Sequence, residues 1–516
     1  MQRRHRGPSR PHALIQSIKF FASAKVPRSR GQARAACHDN TGSATVEEPI
    51  DLLVIGGGTA GIVGAKTAVR LGARTILVEE NRTGGDCLWT GCVPSKTLLS
   101  AAAQAAADRE ASGAEPDFDS IRRRIREAIR TIEPEDSPET LEAFGITVLQ
   151  GTARFTTPGE ALVNGKLIRF RQALIATGSA PSIPPVEGLQ EVPFVTSETI
   201  WDLPSLPSRL LVLGGGPIAC ELGQAFARLG SRVTLLVRSG LLPQEDAEAA
   251  DLVHASLERD GVNVLLHEEA QHVCSTRGTT VVTTTAGQEI EADMILVATG
   301  RTAHTATLGL DALGVDCDER GQVLIDASMR TASRSIWAAG DVTQYPKFTH
   351  LAGVYASTAA SNAVLGLRRS VGQVVPRVTF TSPEVAAVGK TAPAGPGQTT
   401  STVYLKDTDR AVTEGAQEGF VRLVIGARGR ILGGTIVGPR AGESLGELAV
   451  AVSQKMSTRQ LAQITHPYPT YSDALWNAAI AHARSGLDSR FARTATGVLS
   501  GLVRHREERR RRRRLP

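Results

Sequence analysis

A chain of 516 residues with 41% hydrophobic and 21% charged residues is too long for one hydrophobic core and too ordinary in composition for wholesale disorder, so two to four domains are expected. No run reaches the roughly 18 apolar residues of a transmembrane helix, and six cysteines are too sparse for a disulfide scaffold. The formal net charge of +6 gathers at the two ends of the chain, which argues against a nucleic-acid partner for the body between them.

The first 48 residues carry Arg3, Arg4, Arg6, Arg10, Lys19, Lys25, Arg28, Arg30 and Arg34 before the first acid, Asp39, around the apolar patch ALIQSIKFF. This is the composition of an organelle transit peptide and equally of an unstructured basic leader. The leader reading implies a cytoplasmic protein, the transit reading a mitochondrial or plastid one. From residue 51, DLLVIGGGTAGIVGAKTAVRLGARTILVEE reads as strand, glycine turn, helix and strand, with Gly56, Gly58 and Gly61 in GxGxxG spacing and Glu79 closing the second strand. Such glycines admit a pyrophosphate to the backbone, the helix N-terminus favours its charge, and Glu79 suits a ribose hydroxyl, so a dinucleotide site is expected.

Next comes GGDCLWTGCVPSK, with Cys87 and Cys92 five positions apart ahead of a strong helix former, SKTLLSAAAQAAADRE. A helix N-terminus favours a thiolate. Structural zinc wants four Cys or His ligands, and no second pair accompanies these two, so no metal site is expected. A structural disulfide and a redox couple both remain open, and only the couple also uses dinucleotide sites.

The strand–turn–helix pattern recurs at RLLVLGGGPIACELGQAFARLGSRVTLLVR, with Gly214, Gly216 and Ala219 in GxGxxA form, which implies a second dinucleotide. Val237 stands where an acid would hold a free ribose hydroxyl, and Arg238 follows it. An arginine there suits a 2′-phosphate and favours NADPH, with NADH as the alternative. Cys220 reads as a small core residue. The segments ALIATGS (residues 173–179, with Thr177, Gly178 and Ser179) and MILVATGR (residues 294–301, with Gly300 and Arg301) bracket this unit, as if it were inserted into the first. TASRSIWAAGD is a further strand ending at Asp341, whose carboxylate suits a cofactor hydroxyl. Beyond about Pro376, FVRLVIGARGRILGGTIVGP predicts antiparallel strands with a turn near Gly429, followed by helices. The closing RHREERRRRRRLP is a like-charge run.

From about residue 51 to 475 the chain resembles the flavoprotein disulfide reductases of the pyridine nucleotide class, carried by GGDCLWTGCVPSK between the two glycine units. ELGQAFARLGSRVTLLVRS, FTHLAG and THPYPTYSDA are most similar to its mercuric reductase branch. The resemblance implies an α/β fold with two Rossmann-like domains, one for FAD (49–185 and 300–375) and one for NAD(P) (186–299) inserted in it. It also implies an α+β dimerisation domain (376–482), flanked by the basic leader (1–48) and a basic extension (483–516). By the same resemblance Cys92 is the thiol beside the flavin, Cys87 the outer thiol that attacks substrate, Lys96 and Glu221 an ion pair near the flavin, and Asp341 a partner of the FAD ribityl chain. The expected cofactor-binding positions are Gly56, Gly58, Gly61, Glu79, Gly85, Lys96, Thr177, Gly178, Ser179, Gly214, Gly216, Ala219, Arg238, Gly300, Arg301 and Asp341.

One segment departs from the best-known relatives. Where glutathione reductase and dihydrolipoamide dehydrogenase carry a catalytic histidine and, five positions later, its glutamate, this chain has Tyr468 and Asp473, with His466 two residues earlier. Tyrosine is a poor base at neutral pH, and it is also what mercuric reductase has there. The paired C-terminal cysteines of mercuric reductase are missing, since Cys317 is the last cysteine, so delivery of Hg(II) would rest on Cys87 and Cys92. The expected protein is a homodimeric enzyme passing electrons from NADPH through FAD to Cys87/Cys92 and on to a small disulfide or Hg(II). The alternatives are a glutathione-disulfide or dihydrolipoamide type oxidoreductase, with His466 as acid and base, and a non-catalytic flavoprotein redox sensor.

Overall fold

The computed structural model describes residues 49–276, 278–485 and 490–512; the basic leader lies outside the described residues. The chain divides into two compact units. The first takes the described part of Met1–Cys87 together with Ile132–Ala180 and Thr302–Val371. Its sheet runs Thr147–Gln150, Thr75–Glu79, Ile50–Ile55, Lys166–Ile175, Glu160–Val163, Ala153–Thr157, with Ile336–Ala338 also pairing Lys166–Ile175. Ile50–Ile55 is parallel to both neighbours, and a parallel sheet is covered on both faces. Leu52, Leu53 and Val54 are accordingly apolar without alternation and fully buried. Helices Thr59–Arg70 and Thr349–Leu365 pack on each other and on this sheet. Gly64 permits the approach, since a Cβ there would stand 2.4 Å from Leu174 Cδ2.

The second unit takes Leu88–Thr131, Pro181–Arg301 and Gly372–Pro516. Five parallel strands lie in the order Asn263–Leu266, Arg232–Val237, Arg209–Leu213, Met294–Val297, Phe194–Thr196. A three-stranded antiparallel sheet, Ala270–Thr276, Thr279–Thr284 and Glu289–Ala292, shares a core with them through Val273, Val282 and Leu213. The C-terminal part is an antiparallel sheet ordered Pro376–Thr379, Glu384–Gly389, Ile431–Gly438, Phe420–Ile425, Thr399–Tyr404, packed by helices Ala441–Ser453 and Asp473–Ser485. The predicted turn at Gly429 is a short 3-10 turn, Ala427–Gly429, between two antiparallel strands. Together these are the two Rossmann-like sheets and the α+β C-terminal domain that the resemblance implies.

Helices Cys92–Ser112 and Phe118–Ile132 bury Leu98, Ala102, Ile121 and Ile125 in a core shared with Leu222 and Phe226 of the second unit. An apolar stripe on a helix says that a face is buried, not what buries it.

Candidate active site

In the first unit the glycine loop follows strand Ile50–Ile55, and Gly56 turns it with φ +105°, where a Cβ would lie 2.3 Å from Ala176 O. Gly61 packs the next helix onto the loop: a Cβ there would sit 1.8 Å from Gly56 O. Gly58 is the N-cap of helix Thr59–Arg70, whose first turn has neither a side-chain cap nor an acid. Its leading N–H groups are therefore left for an anion, and the helix dipole favours negative charge there. Gly85 brings a second turn against this one, since its Cβ would fall 2.5 Å from Gly58 Cα. Glu79 Oε2 accepts from Gly57 N at 2.5 Å while Oε1 accepts from Asn81 N at 2.8 Å, which fixes the carboxylate at the rim of the loop. At the other strand ends, Thr177 Oγ1 donates to His304 O (2.7 Å), Ser179 Oγ to Asp341 Oδ2 (3.2 Å) and Lys347 Nζ to Asp341 O (2.7 Å). A bare-backbone cradle at a helix N-terminus with flanking carboxylates fits the diphosphate and polyol of a flavin dinucleotide.

The second unit repeats the cradle with more room. Gly214 (φ +137°) and N-cap Gly216 open helix Pro217–Arg228, again without a side-chain cap or first-turn acid, while Ala219 is buried inside the helix. A Cβ at Gly216 would meet nothing within 4 Å. Gly214, Gly215, Gly216, Arg238, Gly300 and Arg301 line a cleft of about 440 Å³. Arg238 is 80% exposed, its Nε 3.7 Å from Glu269 Oε1, whereas Arg301 is half-buried, 3.5 Å from Glu198. The open glycine cradle and an exposed cation beyond the second strand fit a pyridine dinucleotide. Glu268 and Glu269, also on the cleft wall, carried no sequence motif and escaped notice.

Cys87 lies in the short helix Gly85–Trp89, half-buried, and Cys92 is the exposed first residue of the 21-residue helix Cys92–Ser112. Trp201 Nε1 donates to Thr90 O at 2.8 Å and so fixes the turn just before Cys92. One turn into the helix, Lys96 Nζ lies 2.8 Å from Glu221 Oε2. Glu221, 8% exposed, turns its other oxygen to Phe380 N (2.8 Å), and the Phe380 ring receives the Lys96 ammonium at 4.4 Å. Lys96, Glu221 and Phe380 thus form one unit of which the sequence showed two members. Cys220 next door is a core residue, its thiol pushed up to about 12 by burial and then by the Glu221 charge.

The C-terminal segment is arranged differently from a histidine–carboxylate dyad at position 468. Tyr468 is 70% exposed and its hydroxyl donates to Asp409, not Asp473; the Asp409 carboxylate pushes its ionisation up. Asp473 is buried at the start of its helix, with Oδ2 accepting from Thr470 N (3.1 Å) and Oδ1 lacking a partner among the described residues. His466 has a side chain only 5% exposed. Its Nε2 lies 2.5 Å from Glu447 Oε1, its Nδ1 2.9 Å from Ile464 O, and its ring stacks on Trp476 at 5.3 Å. Both nitrogens and the ring face thus have partners within the chain.

A sequence profile of the family "Pyridine nucleotide-disulphide oxidoreductase" matches residues 50–356, and the profile of that family's dimerisation domain matches residues 375–479. The chain is 35% identical to mercuric reductase of Acidithiobacillus ferrooxidans, over 90% of this chain and 87% of that protein. It is 36% identical to mercuric reductase of Streptomyces lividans, over 83% and 95%. Among solved structures, the HOCl-induced flavoprotein disulfide reductase RclA from Escherichia coli aligns with TM-score 0.76 and 27% identity, covering 83% of this chain and 98% of that one. LpdA from Mycobacterium tuberculosis aligns with TM-score 0.76 and 27% identity, over 84% and 99%.

Proposed function

Because the chain belongs to the pyridine nucleotide-disulphide oxidoreductase family, we propose that it takes electrons from NADPH through FAD to a Cys87/Cys92 couple and hands them to a thiol-reactive acceptor, Hg(II) among them, as a homodimer. The observation that carries this reading is the placement of Cys92 at a helix N-terminus one turn ahead of the Lys96–Glu221 pair. FAD, when bound, supplies the relay between a two-electron hydride donor and a disulfide. The residues of the chain do the rest. Lys96, clamped by Glu221 and Phe380, holds a fixed positive charge on the helix that begins at Cys92, and the peptide dipole of that helix stabilises negative charge at its Sγ. Arg238 supplies the cation that a 2′-phosphate needs.

In net terms, NADPH and one proton convert the Cys87–Cys92 disulfide to two thiols. A small disulfide is reduced by the dithiol to two thiols as the Cys87–Cys92 disulfide re-forms; Hg(II) is instead held by the two sulfurs with loss of two protons, and a second NADPH with one proton supplies the two electrons that release Hg(0) and restore the dithiol. The exposed, still protonated Tyr468 favours a metal-ion acceptor over routine dithiol–disulfide exchange, because that exchange needs a base near neutrality.

Anaerobic NADPH titration of the FAD-loaded protein, wild type against Cys92→Ser, tests the proposal. A long-wavelength absorbance band present only with Cys92 is expected, followed by turnover with Hg(II), glutathione disulfide or lipoamide. Simple bleaching, identical in both proteins, would sink the disulfide mechanism.

A further inference from the structure

The last described element, helix Arg490–Arg512, is built unlike the other helices among the described residues. Every residue from Thr494 to Arg510 is exposed, and Val498, Leu499, Leu502 and Val503 present 57–62% of their surface to solvent. Four large aliphatic side chains within two turns form a stripe at i, i+1, i+4, i+5, the spacing of a helix face meant to be covered. That face then changes character along its length. Arg506 and Arg509, four and seven positions after Leu502, continue the same side of the helix, and Arg510 follows eight after it. Glu508, six positions after Leu502, lies on the opposite side, while Glu507, four after Val503, borders the stripe on one flank. Beyond Arg510 the sequence runs on through Arg511, Arg512, Arg513 and Arg514.

We propose that this helix lies flat on an anionic lipid surface, with the Val498–Leu499–Leu502–Val503 stripe among the acyl chains and the arginines that follow on the headgroup phosphates. Charge complementarity selects the occupant. A nucleic acid would neutralise the arginines but offers no apolar phase for the leucines. A second copy of the helix, side by side in parallel, would set arginines against arginines; antiparallel, it would set arginines against leucines. An anionic bilayer offers both phases in the order in which the helix presents them. The helix rests on the surface rather than crossing it, since among the described residues no helix is long and apolar enough to span a membrane.

The test uses the full-length FAD-loaded protein and vesicles of phosphatidylcholine alone or with about one third phosphatidylglycerol. Co-sedimentation with the anionic vesicles only, weakened at high salt, is expected. Each arginine at such a surface is worth about fivefold in partitioning, so Arg506→Ser/Arg509→Ser/Arg510→Ser should lose roughly a hundredfold. Leu499→Ser/Leu502→Ser should lose at least about tenfold with the arginines intact. NADPH oxidation unchanged in solution shows that each variant is folded. Three results would overturn the proposal: no sedimentation of the wild-type protein, binding indifferent to the leucine substitutions, or tighter binding to duplex DNA than to anionic vesicles at the same salt.

Discussion

The Lys96–Glu221–Phe380 unit allows a quantitative test. Glu221→Gln keeps an oxygen for Phe380 N–H but replaces the carboxylate facing Lys96 with an amide N–H donor, so donor meets donor. A hydrogen bond to a charged group contributes about 1.5–3 kcal/mol, and removing one member of a buried pair costs about 3–5. Here Glu221 is 8% exposed but Lys96 is 38% exposed, and water can take up the ammonium when its partner is lost. The smaller range therefore applies, about 1.5–2 kcal/mol for Glu221→Gln. Glu221→Ala also strips Phe380 N–H of its acceptor and adds about 1–3 kcal/mol. The assay is a double-mutant cycle with Lys96→Met and Glu221→Gln in urea unfolding followed by circular dichroism, which should return a coupling of about 1–2 kcal/mol. Rapid-mixing measurements with NADPH should show flavin reduction slowed in both single variants. A coupling below about 0.3 kcal/mol would refute the reasoning, because the 2.8 Å contact would then have no energetic meaning.

Gly61→Ala should abolish flavin loading, because its Cβ would fall 1.8 Å from Gly56 O, whereas Gly216→Ala, with nothing within 4 Å, should fold normally and raise KM for the pyridine nucleotide; both are read by flavin content and steady-state kinetics. Arg238→Ala should raise KM for NADPH about tenfold or more and leave KM for NADH nearly unchanged, since only the 2′-phosphate calls on the guanidinium. Burial pushes the His482 pKa down, with its Nδ1 2.8 Å from Thr458 Oγ1. The unfolded chain then binds the extra proton more readily, so stability should fall as pH drops below about 6.5 and level off below the folded-state pKa, and His482→Asn should flatten that slope in pH-dependent unfolding.

The parts of the site fixed by backbone geometry were legible in the sequence. Gly56 and Gly214 occupy positive φ, and Gly61 packs against backbone oxygen, so the residue type records the geometry directly. The lysine and glutamate of the ion pair were legible through a familiar motif. Phe380 was not: it contributes a backbone N–H and a ring face from 159 positions beyond Glu221, and neither contribution constrains a recognisable pattern. The same holds for Asp409 beneath Tyr468 and for the neighbours of helix Cys92–Ser112, where composition demands a partner without naming it. His466 was conspicuous in the sequence for its chemistry, but its neighbours Glu447 and Trp476 were not announced by any pattern.

The sheet of the first unit also sets a timetable for the chain as it leaves the ribosome. Strand Lys166–Ile175 receives Ile336–Ala338 as its parallel neighbour, tied by Trp337 Nε1 donating to Gln172 Oε1 across 165 residues of sequence. At about 5–20 residues per second, that neighbour emerges roughly ten to thirty seconds after the strand it must cover. Throughout that interval a wholly apolar edge, Ala173, Leu174 and Ile175, stands open to pairing with other nascent chains. The contiguous parallel sheet built between Phe194 and Val297 can close in the meantime, so the yield of intact protein turns on how quickly synthesis carries the chain past Ala338.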